Sequence, residues 1–315
     1  MFHHKSYNYS FLVFLMMLKL FIPSASFSHR CFNTVKSRKT EIVQRQRYPI
    51  LKSMATQYTI NDDVCPPIDE AELRKIVQKH CECLQRFTKN KPIAQHTSAA
   101  FDQILPHIDT TKKIILDSGC GTGRSTLLLG ERYPSHTIIG VDRSFVRLNR
   151  NCISKKGDAD SDSNENNQRP FQAVSSNVLL VRAELSDFWR CCLDAKLEVD
   201  QHYILYPNPY PKKNRIKKRF YAHPSFPIIL NLGGSKIVVR SNWEGYLKEF
   251  AKSVEYADEL YVSQEMENLA LPYLQDAKVG PKERVDKTVA WTNFEKKYDD
   301  VGEKTYELIL RKGDS

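Results

Sequence analysis

The sequence predicts an α/β fold, a mostly parallel sheet covered by helices on both faces. Three observations predict it. The apolar run Ile114 to Leu116 leads directly into Asp117-Ser118-Gly119-Cys120-Gly121-Thr122-Gly123. A second apolar stretch, Thr137 to Val141, ends in Asp142. Beyond it, short apolar runs alternate with helical patterns to the end of the chain, which is how parallel strands with crossover helices read. The first stretch is strand, tight turn and helix opening. Its glycines let the backbone turn sharply and leave room for a ligand against the main chain.

The N-terminus is set apart from this fold. His3, His4 and Lys5 precede an apolar run from Phe11 to Ile22, and small residues follow at Ser24 to Ser26. That run is short for a membrane span and reads as a signal-peptide core. From Ser28 to Lys52 basic and hydroxyl residues dominate and Glu41 is the one acid, which is transit-peptide composition. The two parts together resemble the presequences of plastids acquired by secondary endosymbiosis. Plastid delivery is therefore the expectation, with the mitochondrion second and secretion third. Residues 1–55 are excluded from the fold, residues 56–110 form a helical extension, and residues 111–315 form the main domain. No stable membrane association is expected once the presequence is removed. A homo-oligomer or a partner subunit is left open.

The elements follow in order. Pro66 to Phe87 has Asp69 and Glu70 near its start and Leu73, Ile76, Val77 and Leu84 at helical spacing, so it reads as an amphipathic helix. A packing helix is the first reading of it and a lid over the site the second. Ala99 to Ile108 is a helix feeding the first strand, and Ser125 to Arg132 is the helix after the glycine turn. Lys155 to Pro170 is rich in Asp, Ser and Asn, buries nothing, and reads as a disordered loop. Further strands are expected at Asn177–Arg182, His202–Tyr206, Lys236–Arg240, near Leu260–Val262, and at Thr305–Leu310. Helices are expected at Asp187–Leu197, Pro224–Leu230 and Trp243–Val254. Ligands of such sheets lie at the carboxyl ends of the strands.

Composition bounds the partners. The chain has 315 residues, a net charge of +10 and 41% hydrophobic residues, which allows a sizeable core and points to a polyanionic partner. Its eight cysteines lack zinc-like spacing and read as free thiols, so no metal site is expected.

The glycine turn with Asp142 one βα unit on leaves dinucleotides and S-adenosylmethionine as candidate ligands. Asp117 stands before the glycines, where it can meet an ammonium group. Gly119, Gly121 and Gly123 lack the G-x-G-x-x-G spacing that seats a pyrophosphate, which favours the methyl donor over a dehydrogenase cofactor. Asp142 would accept from ribose hydroxyls and Glu184, after the third of these parallel strands, from the adenine amine. The fourth strand ends in Tyr206-Pro207-Asn208-Pro209-Tyr210-Pro211, whose prolines fix the backbone so that Asn208 stands at the crevice mouth and Tyr210 offers a stacking face. Then come Lys212, Lys213, Arg215, Lys217, Lys218 and Arg219, six cations in eight residues, as candidate phosphate contacts. Asn242 can bond a base edge, while Trp243 reads as core. Thr292 and Glu295 have capping-box spacing and alternatively face the site.

These stretches together resemble the tRNA (guanine-N7)-methyltransferase family, from about Lys112 to Arg311. The resemblance rests on the glycine turn, the Pro-x-Pro-aromatic-x-Lys run with its cations, the Asn-Trp-Glu after the fifth strand, and Thr-x-Phe-Glu near the end. It implies a Rossmann-like class I methyltransferase fold with seven strands, the last antiparallel, and S-adenosylmethionine as cofactor. It implies tRNA as partner and N7 of guanine 46 in the variable loop as target, with Asn208, Lys212, Asn242, Thr292 and Glu295 facing the nucleotide. The chain has Asn208 and Asn242 where the family carries Asp. An Asn oxygen still accepts from the guanine N1–H or N2–H edge, more weakly than a carboxylate. Asn-Pro-Tyr is also reminiscent of enzymes that methylate exocyclic amines or glutamine side chains. A non-catalytic RNA binder is the further alternative.

Overall fold

The structure, a computed structural model, describes residues 67–152, 170–264 and 280–312. The presequence and nearly all of the polar loop at 155–170 lie outside the described residues.

At the centre of the sheet is β1 (Ile114–Ser118), buried along its whole length. It pairs in parallel with β2 (Thr137–Asp142) on one side and β5 (Val199–Leu205) on the other. Outward from β2 come β4 (Val178–Arg182), parallel, and β3 (Phe171–Ser175), antiparallel. Outward from β5 come β6 (Lys236–Ser241), parallel, then β8 (Tyr306–Arg311) and β7 (Lys282–Glu283), both pairing antiparallel. The order β3-β4-β2-β1-β5-β6-β8-β7 thus reverses direction at β1, so a crevice opens between the carboxyl ends of β1 and β5.

Eight strands rather than seven stand among the described residues. The extra one is β3, which folds back on β4 as a hairpin. The strand expected near Leu260–Val262 is absent. Those residues continue α8 (Glu244–Gln264), where Leu247, Phe250, Val254 and Ala257 keep helical spacing on a buried face. The sheet position beside β8 is filled by β7.

The N-terminal extension is two helices, α1 (Glu70–Glu82) and α2 (Leu84–Asn90), rather than one. Asp69 caps α1 by accepting from Glu72 N–H at 3.0 Å, worth roughly 1 kcal/mol. Leu73 and Val77 are buried, and α1 is tied to α8 by Arg74–Glu259 at 2.7 Å and Tyr256–Glu70 at 2.5 Å. It is a packing helix. Next come α3 (Gln95–Ile104), α4 (Arg124–Arg132) after the glycine turn, α5 (Phe145–Cys152), α6 (Leu185–Asp194) and α7 (Phe226–Leu232). The last helix, α9 (Asn293–Asp300), precedes β8. Cys81, Cys83, Cys120, Cys191 and Cys192 are free thiols.

Beneath the crevice a buried network fixes β1 against β5. Trp189 Nε1 donates to Ser118 Oγ at 2.9 Å, and Ser118 Oγ lies 2.8 Å from His202 Nε2. Burial pushes His202 down to about 3, so this serine–histidine pair has a poor base and a hydroxyl already held by the indole.

Candidate active site

A cavity of about 750 Å³ occupies the crevice. Ser118 at the end of β1 with Gly119 after it, Asp142 at the end of β2 and Glu184 after β4 line one end. Asn208, Tyr210, Lys218, Asn242, Phe294 and Tyr298 line the other. The first end follows from strand termini, the second from the loops after β5 and β6 together with α9, and the strand-end residues Asp142, Glu184, Asn208 and Asn242 read from the sequence do converge.

At the first end the backbone is open. Gly119, Gly121 and Gly123 all have left-handed φ, +82°, +61° and +78°, and a Cβ on Gly121 would have nothing within 4 Å. Asp142 holds this turn: its Oδ2 accepts from Gly121 N–H at 3.0 Å and its Oδ1 from Ser144 N–H at 2.7 Å. Arg147, on the first turn of α5, stands 3.3 Å from the same carboxylate and also lines the cavity. Glu184 is the residue before α6, and its N–H donates to Thr97 Oγ1 at 3.0 Å.

Asp117 departs from its expected place at the wall. It is 1% exposed, and its Oδ2 accepts from Ser125 Oγ at 2.6 Å and Thr126 Oγ1 at 2.7 Å, bracing the turn onto α4. Its Oδ1 is buried with no hydrogen-bond partner. Burial raises its pKa to about 6, against those two donors. Because the folded state then binds a proton that the unfolded state, near 3.9, has lost, this group's contribution favours folding below about pH 4 and is lost as pH rises through about 6. Asp117→Asn is expected to remove that dependence. Its stability gain over the native chain, on the order of 2 kcal/mol, should be present above pH 6 and vanish below pH 4 in urea melts.

At the second end Tyr206 and Tyr210 both adopt left-handed φ, +54° and +44°. Asn208 is exposed, and its Oδ1 accepts from Tyr210 N–H at 3.1 Å. The oxygen expected to accept from a guanine edge is thus engaged within the loop. Phe294, 54% exposed, stacks on Tyr206, which also stacks on Tyr298. Lys212 and Lys217 are exposed at the rim but off the cavity wall, in and before the short helical turn Lys213–Lys218.

Three expected substrate contacts are elsewhere. Arg219 is 1% exposed and ion-paired to Glu249 at 2.9 Å, because the loop beside it needs a buried donor. Thr292 caps α9 by accepting from Glu295 N–H at 3.0 Å. Glu295 is 0% exposed, accepting from Trp291 N–H at 2.5 Å and from Arg240 Nη1 at 2.8 Å. The capping-box reading holds for this pair, and Phe294 and Tyr298 are the residues α9 sends to the cavity. Sequence reasoning missed those two rings, Tyr206, Arg147 and His223. Phe294 lies inside the Thr-x-Phe-Glu stretch and Arg147 one helical turn past Asp142, so both had a local signal. His223 had none; burial, with the charges of Lys91 and His80, lowers it to about 4.

An αβ sheet with this strand order and a glycine turn under an open cavity defines a class I methyltransferase. The residues present fit S-adenosylmethionine: a glycine turn open at Gly121, and carboxylates at the end of β2 and after β4 that face the cavity. A family model described as "Putative methyltransferase" matches residues 111–308. The chain belongs to that family, the tRNA (guanine-N7)-methyltransferase family, and its cofactor is S-adenosylmethionine. No curated protein matches the chain. Among solved structures it is similar to an antibiotic-related methyltransferase, at 16% identity over 71% of this chain and 96% of that one, TM-score 0.36. It is also similar to the 16S rRNA methyltransferase KamB, at 14% identity over 71% and 96%, TM-score 0.37. A third is a 16S rRNA adenine-N1 methyltransferase from Catenulisporales acidiphilia bearing one substitution and holding its cosubstrate, at 11% identity over 68% and 90%, TM-score 0.38.

Proposed function

We propose that the protein methylates N7 of a guanine in tRNA, at position 46 of the variable loop, as the family resemblance implies. The observation that carries the reading is one cavity with the glycine turn at one end and the Asn208–Tyr210 loop, bordered by exposed cations, at the other. Bound S-adenosylmethionine supplies an electrophilic methyl group on a sulfonium. Guanine N7 has a lone pair and no proton to lose, so the chain's own task is positioning rather than general-base catalysis.

The residues at the second end suit that task. With its oxygen held by Tyr210 N–H, Asn208 keeps amide donors for guanine O6, the acceptor next to N7 on the same edge. Phe294 and Tyr210 offer ring faces for an unstacked base. Lys212, Lys217 and Lys218 contact phosphates, which position RNA without specifying sequence. Changing Lys217 and Lys218 together to Ala is expected to weaken tRNA binding and to reduce the slope of log affinity against log salt by about 1 to 2, with cofactor affinity unchanged. Filter binding across a salt series reads it.

Transfer of label from S-adenosylmethionine to unmodified tRNA, followed by nucleoside analysis, tests the proposal. A 7-methylguanosine product is expected. Methyl on an exocyclic amine, or cofactor binding with no transfer, would overturn it. We further propose plastid delivery, on the two-part composition of residues 1–55. Fusion of those residues to a fluorescent protein should direct it to plastids, and a mitochondrial signal would refute this.

A further inference from the structure

We infer that Arg219 and Glu249 form a clamp that sets the shape of the 206–211 loop, and that the chain entering α1 completes it. The inference rests on reading that loop as the acceptor end of the site. Pro207, Pro209 and Pro211 have no N–H, so the loop is held mainly through its carbonyls. It is also strained, with two non-glycine residues in the left-handed region. A buried fork of donors answers both demands. Arg219 Nε donates to Pro209 O at 3.0 Å and to Tyr210 O at 3.4 Å, and Nη2 donates to Tyr210 O at 3.3 Å. Its Nη1 donates to Glu249 Oε2 and to Tyr221 Oη, both at 2.9 Å, and the guanidinium lies 4.9 Å over the Trp243 ring. Only a planar, multi-donor cation does all of this at once; a lysine ammonium cannot span the same acceptors.

Glu249 carries the link onward. Tyr221 Oη also donates to Oε2, and Oε1 accepts from Ile68 N–H at 2.5 Å. A single buried carboxylate thus joins the coil before α1, outside the stretch matched by the family, to the loop that presents Asn208 and Tyr210. Among the described residues, the cofactor end is held by other bonds, Asp142 to Gly121 and Ser144 N–H and Glu184 N–H to Thr97. Arg219 is therefore a positioning residue: it acts on the acceptor through the loop and touches neither ligand.

The experiment uses Arg219→Lys in the full chain, which keeps the charge opposite Glu249, and Glu249→Gln as a second variant should the first not fold. Hydrogen exchange at the Tyr210 amide is expected to rise at least tenfold in a folded variant. Its kcat/KM for tRNA should fall at least tenfold, while its S-adenosylmethionine dissociation constant stays within twofold of the native value. Unchanged Tyr210 exchange in the folded variants would overturn the clamp, as would equal weakening of both ligands. Faster exchange in the variant, together with no tRNA methylation by the native protein, would uphold the clamp and refute the tRNA reading, so the two failures are distinguishable.

Discussion

Asp142→Ala is expected to weaken S-adenosylmethionine binding by about 100-fold or more while leaving tRNA affinity within twofold. Two losses add in the same direction. The carboxylate holds the glycine turn through Gly121 N–H at 3.0 Å and the start of α5 through Ser144 N–H at 2.7 Å, both bonds to a charged acceptor. It also lines the cavity where the ribose hydroxyls of the cofactor would lie. Charged hydrogen bonds are worth about 1.5 to 3 kcal/mol each, and two of them reach that factor. Arg147 would lose its partner and remain near the site as an unpaired cation. Calorimetry with the cofactor and filter binding with tRNA read the two affinities separately. Equal effects on both ligands would contradict the separation of the two ends.

Glu295→Ala is expected to be the most destabilising of these changes, by about 2 to 4 kcal/mol, the cost of removing a buried charged acceptor from a guanidinium and a backbone N–H. The carboxylate is fully buried between Arg240 at 2.8 Å and Arg284 at 3.8 Å, and it also satisfies Trp291 N–H. Removing it leaves Arg240 with Glu307 alone and Arg284 with Asp299 alone, and takes the acceptor from Trp291 N–H just ahead of α9. For a domain of this size the melting temperature should fall by on the order of 10 °C. Activity should fall with it, because α9 places Phe294 and Tyr298 in the cavity. Glu295→Gln keeps the shape and the acceptor for Trp291 N–H, so it should lose less. A melting temperature unchanged by Glu295→Ala, with only the tRNA KM altered, would return Glu295 to the role of a substrate contact.

These residues also show what a sequence can and cannot reveal about such a site. The glycine turn and Asp142 were legible because their chemistry is local: a strand, a left-handed turn and an acid one βα unit on. Arg219 was not, because in a run of six cations nothing local distinguishes the one that the proline loop draws inward. Only the carbonyls of Pro209 and Tyr210, brought over it by the fold, make that choice. Glu295 lies between these cases. Its capping-box spacing is visible over four residues, but its ion pair with Arg240 spans 55 residues of chain. The misread strand near Leu260 has a similar cause. Local strand preference in Leu260-Tyr261-Val262 competes with a helix whose buried face continues from Leu247 onward, and the tertiary contacts decide for the helix.

The most direct measurement is methyl transfer to a tRNA in which 7-deazaguanosine replaces the guanosine at position 46, compared with the unsubstituted molecule. The replacement puts a C–H where N7 has its lone pair and leaves O6 and the exocyclic amine in place. The account predicts full binding and loss of methylation in the substituted tRNA. Undiminished methylation would show that the methyl group goes to another atom or another nucleotide, and would contradict it.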